Sequence, residues 1–214
     1  ARQVSAASCT APSFCDTLKG LQIPEAPEKR SRRTPRSAAQ IGRRALKNTC
    51  LGYLVLTGEN RASERAAAQY ASGDNMTDVL AALTAVVHHD PSEGREQSRR
   101  LLADFHARWR HEALALNLWF SVQAQRPHAG ALEDVRALLG HRDFELRNPN
   151  RVRALIGAFC SGNAPGFHRA DGAGYRFLGE QVKVLDPMNP QLAARLLAPL
   201  TRWRRHAPLH ADGM

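Results

Sequence analysis

One spacing recurs along most of this chain and restricts its fold more than anything else: apolar residues return every three or four positions. Met76, Val79, Leu80, Leu83, Val86 and Val87 follow the i, i+3, i+4, i+7 rule of a helix with one buried face, and Asp74 or Asn75 stands where a cap is needed. The same stripe returns at Leu46, Cys50, Tyr53, Leu54; at Leu101, Leu102, Phe105, Trp109; at Leu114, Leu118, Trp119, Val122; and at Leu132, Val135, Leu138, Leu139. It returns again at Val152, Leu155, Ile156, Phe159 and at Leu192, Leu196, Leu200, Trp203. No segment shows the strict two-residue alternation of a half-buried strand. The spacing predicts an all-α protein.

Two of these helices open with the same device. In Asn148-Pro149 and Asn189-Pro190 the asparagine side chain can accept from free amides, while proline takes the first helical position, where its missing N–H costs nothing. Loops between stripes are mostly short, so consecutive helices must pack antiparallel. Stacked antiparallel pairs of this kind build an armadillo- or HEAT-like superhelical domain, here without a fixed internal period. The division is then residues 1–41 as a disordered or linker-like basic segment, 42–207 as the helical domain, and 208–214 as a tail.

From Pro24 to Gln40 there is no apolar periodicity, three prolines and a basic cluster of Lys29, Arg30, Arg32, Arg33 and Arg36. We read it as a solvated linker, although clustered cations also suit a nucleic-acid arm. The whole chain carries 30 Lys and Arg against 20 Asp and Glu, a formal net charge of +10. Such a balance draws polyanions and acidic ligands without naming a fold. It keeps open the alternative of a basic helical-repeat protein that binds nucleic acid or another acidic partner. No apolar run of about 18 residues exists, so no membrane span is predicted, and Ala1 to Gly20 lacks the apolar core of a secretory signal. Cys9, Cys15, Cys50 and Cys160 form neither a C-x-x-C pair nor a disulfide-framework spacing. A reducing cytoplasm fits that pattern.

Candidate chemistry is sparse. His111-Glu112-Ala113-Leu114-Ala115 begins like a zincin helix, but the second histidine that must face the same metal one turn on is Ala115. His88-His89-Asp90 is read as a helix end rather than a ligand pair. His168 and Asp171 could pair as base and orienter, yet Asp171 better serves as the cap of the helix holding Tyr175 and Phe177, with Gly172 and Gly174 easing the turn. Trp109, Trp119 and Trp203 lie on apolar stripes and read as core rather than as base-stacking platforms. Gly157, Gly162 and Gly166 match no nucleotide fingerprint. No metal, cofactor or catalytic residue is expected in this chain.

The stretch Asn148-Pro-Asn-Arg-Val-Arg-Ala-Leu-Ile-Gly-Ala-Phe159, followed by Phe167-His-Arg-Ala-Asp-Gly-Ala-Gly-Tyr175, resembles the C-terminal helical domain of the bacterial alanyl aminopeptidases, the aminopeptidase N branch of the M1 zinc metallopeptidases. The likeness runs from about Gly42 to His206. It includes Arg44-Ala-Leu-Lys-Asn48, Asn75-Met-Thr-Asp-Val-Leu-Ala-Ala-Leu83, Trp119-Phe120, Val135-Arg-Ala-Leu-Leu139 and Asn189-Pro-Gln-Leu-Ala-Ala-Arg195. The resemblance implies an armadillo-like domain that closes over a separate catalytic domain and lines the route of peptide substrates to its zinc, with no metal ligand of its own.

It also implies that Arg153 and Arg195 line that channel near the distal end of the substrate. Both sit within about the first two turns of an Asn-Pro-started helix, and alternate helices of a stacked array run parallel, so the two guanidinium groups should reach one edge. There they could hold a peptide carboxylate bidentately; alternatively, each bridges to Asp or Glu on a neighbouring helix. The family's Gly-Ala-Met-Glu-Asn segment and His-Glu-x-x-His helix are not in this sequence. The first forty residues and the stop soon after Trp203-Arg-Arg-His206 also depart from the family, which implies a truncated or detached fragment. Loss of the partner surface should leave an apolar patch exposed.

Overall fold

A computed structural model describes residues 37–89 and 96–201, and every described element is a helix. The basic cluster Lys29 to Arg36, Cys9, Cys15, Asp90, Trp203 and the tail lie outside these residues. The elements are α1 (Ala38–Leu56), α2 (Asn60–Ser72), α3 (Met76–His89), α4 (Glu96–Trp109), α5 (Ala113–Ala124) and α6 (Ala131–Leu139). Then comes α7, which runs as Pro149–Val152, a π-helical turn Arg153–Gly157, and Ala158–Gly162. After it follow α8 (Ala164–Phe167), α9 (Ala173–Leu185) and α10 (Pro190–Leu196). None is long and apolar enough to cross a membrane.

Two helices form the spine. α3 packs against α1, α2, α4 and α5, and α5 packs against α4, α6 and the length of α7. Their sequences explain it: Val79, Ala82, Leu83, Val86 and Val87 of α3 are buried, as are Leu116, Trp119, Phe120, Val122 and Ala124 of α5. Burying a residue the size of Leu or Phe stabilises by about 1.5–3 kcal/mol, so these helices hold the stack together. Farther along, Phe159 meets Phe167 and Phe177 edge to face, with ring centroids 6.2 and 5.7 Å apart, and joins α7, α8 and α9. Gly174 opens α9 tightly against the preceding turn, since a Cβ there would stand 2.1 Å from the Phe167 carbonyl oxygen. Gly172 takes φ of +68°, the left-handed region that favours glycine.

Polar side chains fix the helices in register. Asp78, only 8% exposed at the start of α3, accepts from Lys47 Nζ at 2.7 Å, Asn48 Nδ2 at 2.9 Å and Asn75 Nδ2 at 3.0 Å, with Arg44 Nε at 3.6 Å. Gln69 of α2 donates to Asn48 Oδ1 and to the Asp78 carbonyl. The segments Arg44–Asn48 and Asn75–Asp78 thus form one junction of α1, α2 and α3. Against the upward push of burial, the bonds from Lys47, Asn75 and Asn48 hold the Asp78 carboxyl below its ordinary value. Tyr70 ties α2 to α4 by donating to Asp104 Oδ2 at 2.7 Å.

The face of α1 corrects the sequence reading. Leu46 and Tyr53, expected on the buried stripe, are exposed, and Leu51 and Val55 are buried instead. The Asp78 junction decides this, because Arg44, Lys47 and Asn48 must point inward with them. Ile41, Leu46, Tyr53 and Leu56, each 55–64% exposed, fall within an arc of about 140° on the opposite side. Leu114 is likewise 78% exposed and Leu118 half-buried, whereas Trp119 of the same stripe is buried.

Candidate functional site

Both asparagine caps form as expected. Asn148 Oδ1 accepts from the amides of Asn150 and Arg151 at 3.0 and 3.4 Å, and Asn189 Oδ1 from that of Leu192 at 3.0 Å. They start α7 and α10, the two helices that bear the candidate arginines.

Arg151 and Arg153 stand two residues apart on α7, about 200° around a helix. Arg151 turns inward and is 8% exposed. Its Nε donates to the Asp143 carbonyl and its Nη1 to the Ala113 carbonyl, each at 3.2 Å, and Nη1 also to Asn117 Oδ1. Its guanidinium lies 5.7 Å from the Phe120 ring centre. Arg153 turns outward, is exposed, and donates to Asn150 Oδ1 at 3.2 Å. It begins the π-helical turn, a widening of the backbone ladder often found at functional positions and not readable from residue spacing.

Arg153 and Arg195 line the same hollow, a cavity of about 280 Å³ between α7 and α10. Gly157, Cys160 and Ser161 form one wall, and Leu192, Leu196, Ala198 and Pro199 the other. Gly157 faces Leu196, whose Cδ2 lies 3.7 Å from where a Cβ would stand. Neither arginine forms an ion pair with Asp or Glu among the described residues. Two cations therefore border a largely apolar recess. Burial pushes the Cys160 thiol up to about 12, so it stays protonated near neutrality and is a poor nucleophile. The lining suits binding of an anionic, partly apolar group more than bond breaking.

The other candidates resolve into structure. His111 and Glu112 lie in the turn before α5, so the zincin-like sequence has no helix at its first histidine; with Ala115 in place of the second, these residues do not fit a catalytic zinc. His88 Nε2 reaches the Val122 carbonyl of α5 at 2.9 Å rather than closing its own helix end. Asp171 Oδ1 accepts from the Ala173 amide at 3.0 Å, while His168 Nδ1 meets Tyr175 Oη at 2.8 Å, so His168 and Asp171 make no base–orienter bond with each other. Trp119 is buried and donates to the Leu102 carbonyl at 2.9 Å. Asn163, 1% exposed, donates to the Ala124 and Arg126 carbonyls and accepts from the Gly166 amide, a bridge that sequence spacing did not reveal. Three potential ligand residues, His106, His141 and Asp143, also converge.

Comparison with known proteins gives these features a setting. Residues 17–214 match the family described as "Domain of unknown function (DUF3458_C) ARM repeats". Aminopeptidase N of Caulobacter vibrioides is 41% identical over 177 residues, which is 83% of this chain and 20% of that protein. Aminopeptidase N of Escherichia coli is 41% identical over 166 residues, 78% of this chain and 19% of that one. The crystal structure of Legionella pneumophila aminopeptidase A in complex with aspartic acid superposes with a TM-score of 0.80 at 32% identity, covering 94% of this chain and 23% of that one. The chain spans about a fifth of the length of the curated relatives it matches.

Proposed function

This chain belongs to the DUF3458_C family of ARM-repeat domains, and from that premise we propose that it serves as the non-catalytic C-terminal domain of an M1 alanyl aminopeptidase. Its task is to close over a catalytic part carried elsewhere and to line the route of peptides, while the zinc-dependent removal of N-terminal residues takes place in that other part. Its partners are then the catalytic domain and the peptide. A cytoplasmic location accords with the cysteine spacing.

One observation carries this reading: Arg153 and Arg195, each brought by an Asn-Pro-capped helix, face one hollow without an acidic partner among the described residues. Guanidinium groups bind carboxylates in a two-point fork, and the apolar wall of Leu192, Leu196 and Pro199 leaves room for a side chain beside that carboxylate. The exposed apolar face of α1 supports a partner surface as well.

Complementation tests the reading. The full chain is mixed with Caulobacter aminopeptidase N lacking its matching region, and turnover is compared on a free-acid peptide and on an amide substrate without a carboxylate. We expect association and restored turnover. The double change Arg153→Ala and Arg195→Ala should raise KM for the peptide more than about tenfold and leave the amide unchanged. Absence of association sinks the domain assignment, whereas equal effects on both substrates sink only the carboxylate role.

A further inference from the structure

His106 of α4 and the pair His141 and Asp143 after α6 come from separate segments, yet one donor atom from each lies within 4.8 Å of the others. His106 Nε2 is 2.6 Å from Asp143 Oδ2, and His141 Nδ1 is 3.8 Å from the same oxygen. Donors sharing one ion at about 2.1 Å stand roughly 3.0–3.5 Å apart, so side-chain shifts of about an ångström close the set. Aromatic rings wall one side. The Trp119 ring lies 4.9 Å from His106 and 5.1 Å from His141, and Phe120 lies 5.8 Å from His141. The three side chains keep 14–27% exposure, which leaves an open side for water ligands.

We propose that His106, His141 and Asp143 bind one divalent transition-metal ion of the zinc, cobalt or nickel class. Two imidazoles and one carboxylate form a donor set of intermediate softness, suited to these ions and poorly suited to calcium or magnesium. His141 Nδ1 accepts from the Asp143 amide, so that nitrogen carries the lone pair an ion would take. Binding exchanges the His106–Asp143 contact for two metal bonds, with the ring proton of His106 carried on Nδ1 once Nε2 holds the ion. It also gives up the 3.2 Å bond from the Asp143 amide to His141 Nδ1. Arg142, whose Nε lies 3.8 Å from the carboxylate, is 68% exposed and free to swing outward. The ion would staple α4 to the turn after α6, beside the carbonyl of Asp143 that anchors Arg151.

The test uses the full chain and the metal alone. Cobalt titration should saturate at one ion per chain with visible ligand-field bands. His106→Ala and Asp143→Asn should each weaken binding more than about tenfold, and His111→Ala should not. Because a variant could loosen the fold, zinc is also titrated into the unaltered chain while histidine ring signals are followed by NMR; those of His106 and His141 should shift together. Unchanged affinity in the two variants, a thiolate charge-transfer band in place of ligand-field bands, or unmoved His106 and His141 signals at millimolar zinc would each overturn the site.

Discussion

The junction around Asp78 and the hollow between α7 and α10 are both built on cations, and they use them in opposite ways. Around Asp78 the charges are inward and satisfied: Lys47 lies 2.7 Å from the carboxylate, with amide donors filling the remaining positions. At the hollow Arg153 and Arg195 are exposed and lack an acidic partner among the described residues. Arg151, two residues from Arg153, behaves like the junction, with its donors spent on α5 and on the turn after α6. The difference teaches where a cation is part of the fold and where it is available to something else. A buried group whose partners are removed leaves a desolvated orphan; an exposed one leaves water.

Denaturation can break that contrast. Asp78→Ala should cost most, about 2–4 kcal/mol by urea unfolding, because it strands Lys47, Asn48 and Asn75 donors at a half-buried junction. A loss below about 1 kcal/mol would mean that the junction is not structural. Arg151→Ala should follow at about 2–3 kcal/mol, from two unpaired carbonyls and the vacated contact with Phe120.

A smaller effect comes from acid. Burial, with His89 and Arg126 nearby, holds the His88 imidazole below its ordinary value despite its bond to the Val122 carbonyl. The unfolded chain therefore takes up a proton near pH 6.5 before the folded one does. Stability should be level above that pH and fall as pH drops through it. The fall ends once the lower folded-state value is passed. Thermal melts between about pH 8 and pH 5 should show the slope, and His88→Gln should flatten part of it. Smallest of all, Arg153→Ala and Arg195→Ala should each change stability by less than about 0.5 kcal/mol while altering peptide handling. A large loss of stability in either would move it from the hollow to the fold.

Much of the architecture was legible because its signals are local. Asn148 and Asn189 act on amides two or three residues ahead, and Val152, Leu155, Ile156 and Phe159 are buried on the face their spacing predicts. What could not be read depends on partners far along the chain. Apolar residues lie on both sides of α1, and only the approach of Asp78, some thirty residues later, selects Leu51 and Val55 over Leu46 and Tyr53. Arg151 finds the Ala113 carbonyl 38 positions back, and His106 meets Asp143 37 positions ahead. For the hollow, a family likeness points to the two arginines, but their shared recess with Gly157 and Leu196 arises only where α10 comes up to α7 in the folded chain.

The half-turn offset between Arg151 and Arg153 makes this stretch intolerant of length changes. Adding or deleting a single amino acid just ahead of them rotates everything downstream by about 100°, so neither guanidinium would keep its assigned direction. Substitutions can be absorbed one at a time here, but an indel would scramble anchor and lip together. Natural variation at this point of the helix should therefore be confined to side-chain identity, with frame and count held constant.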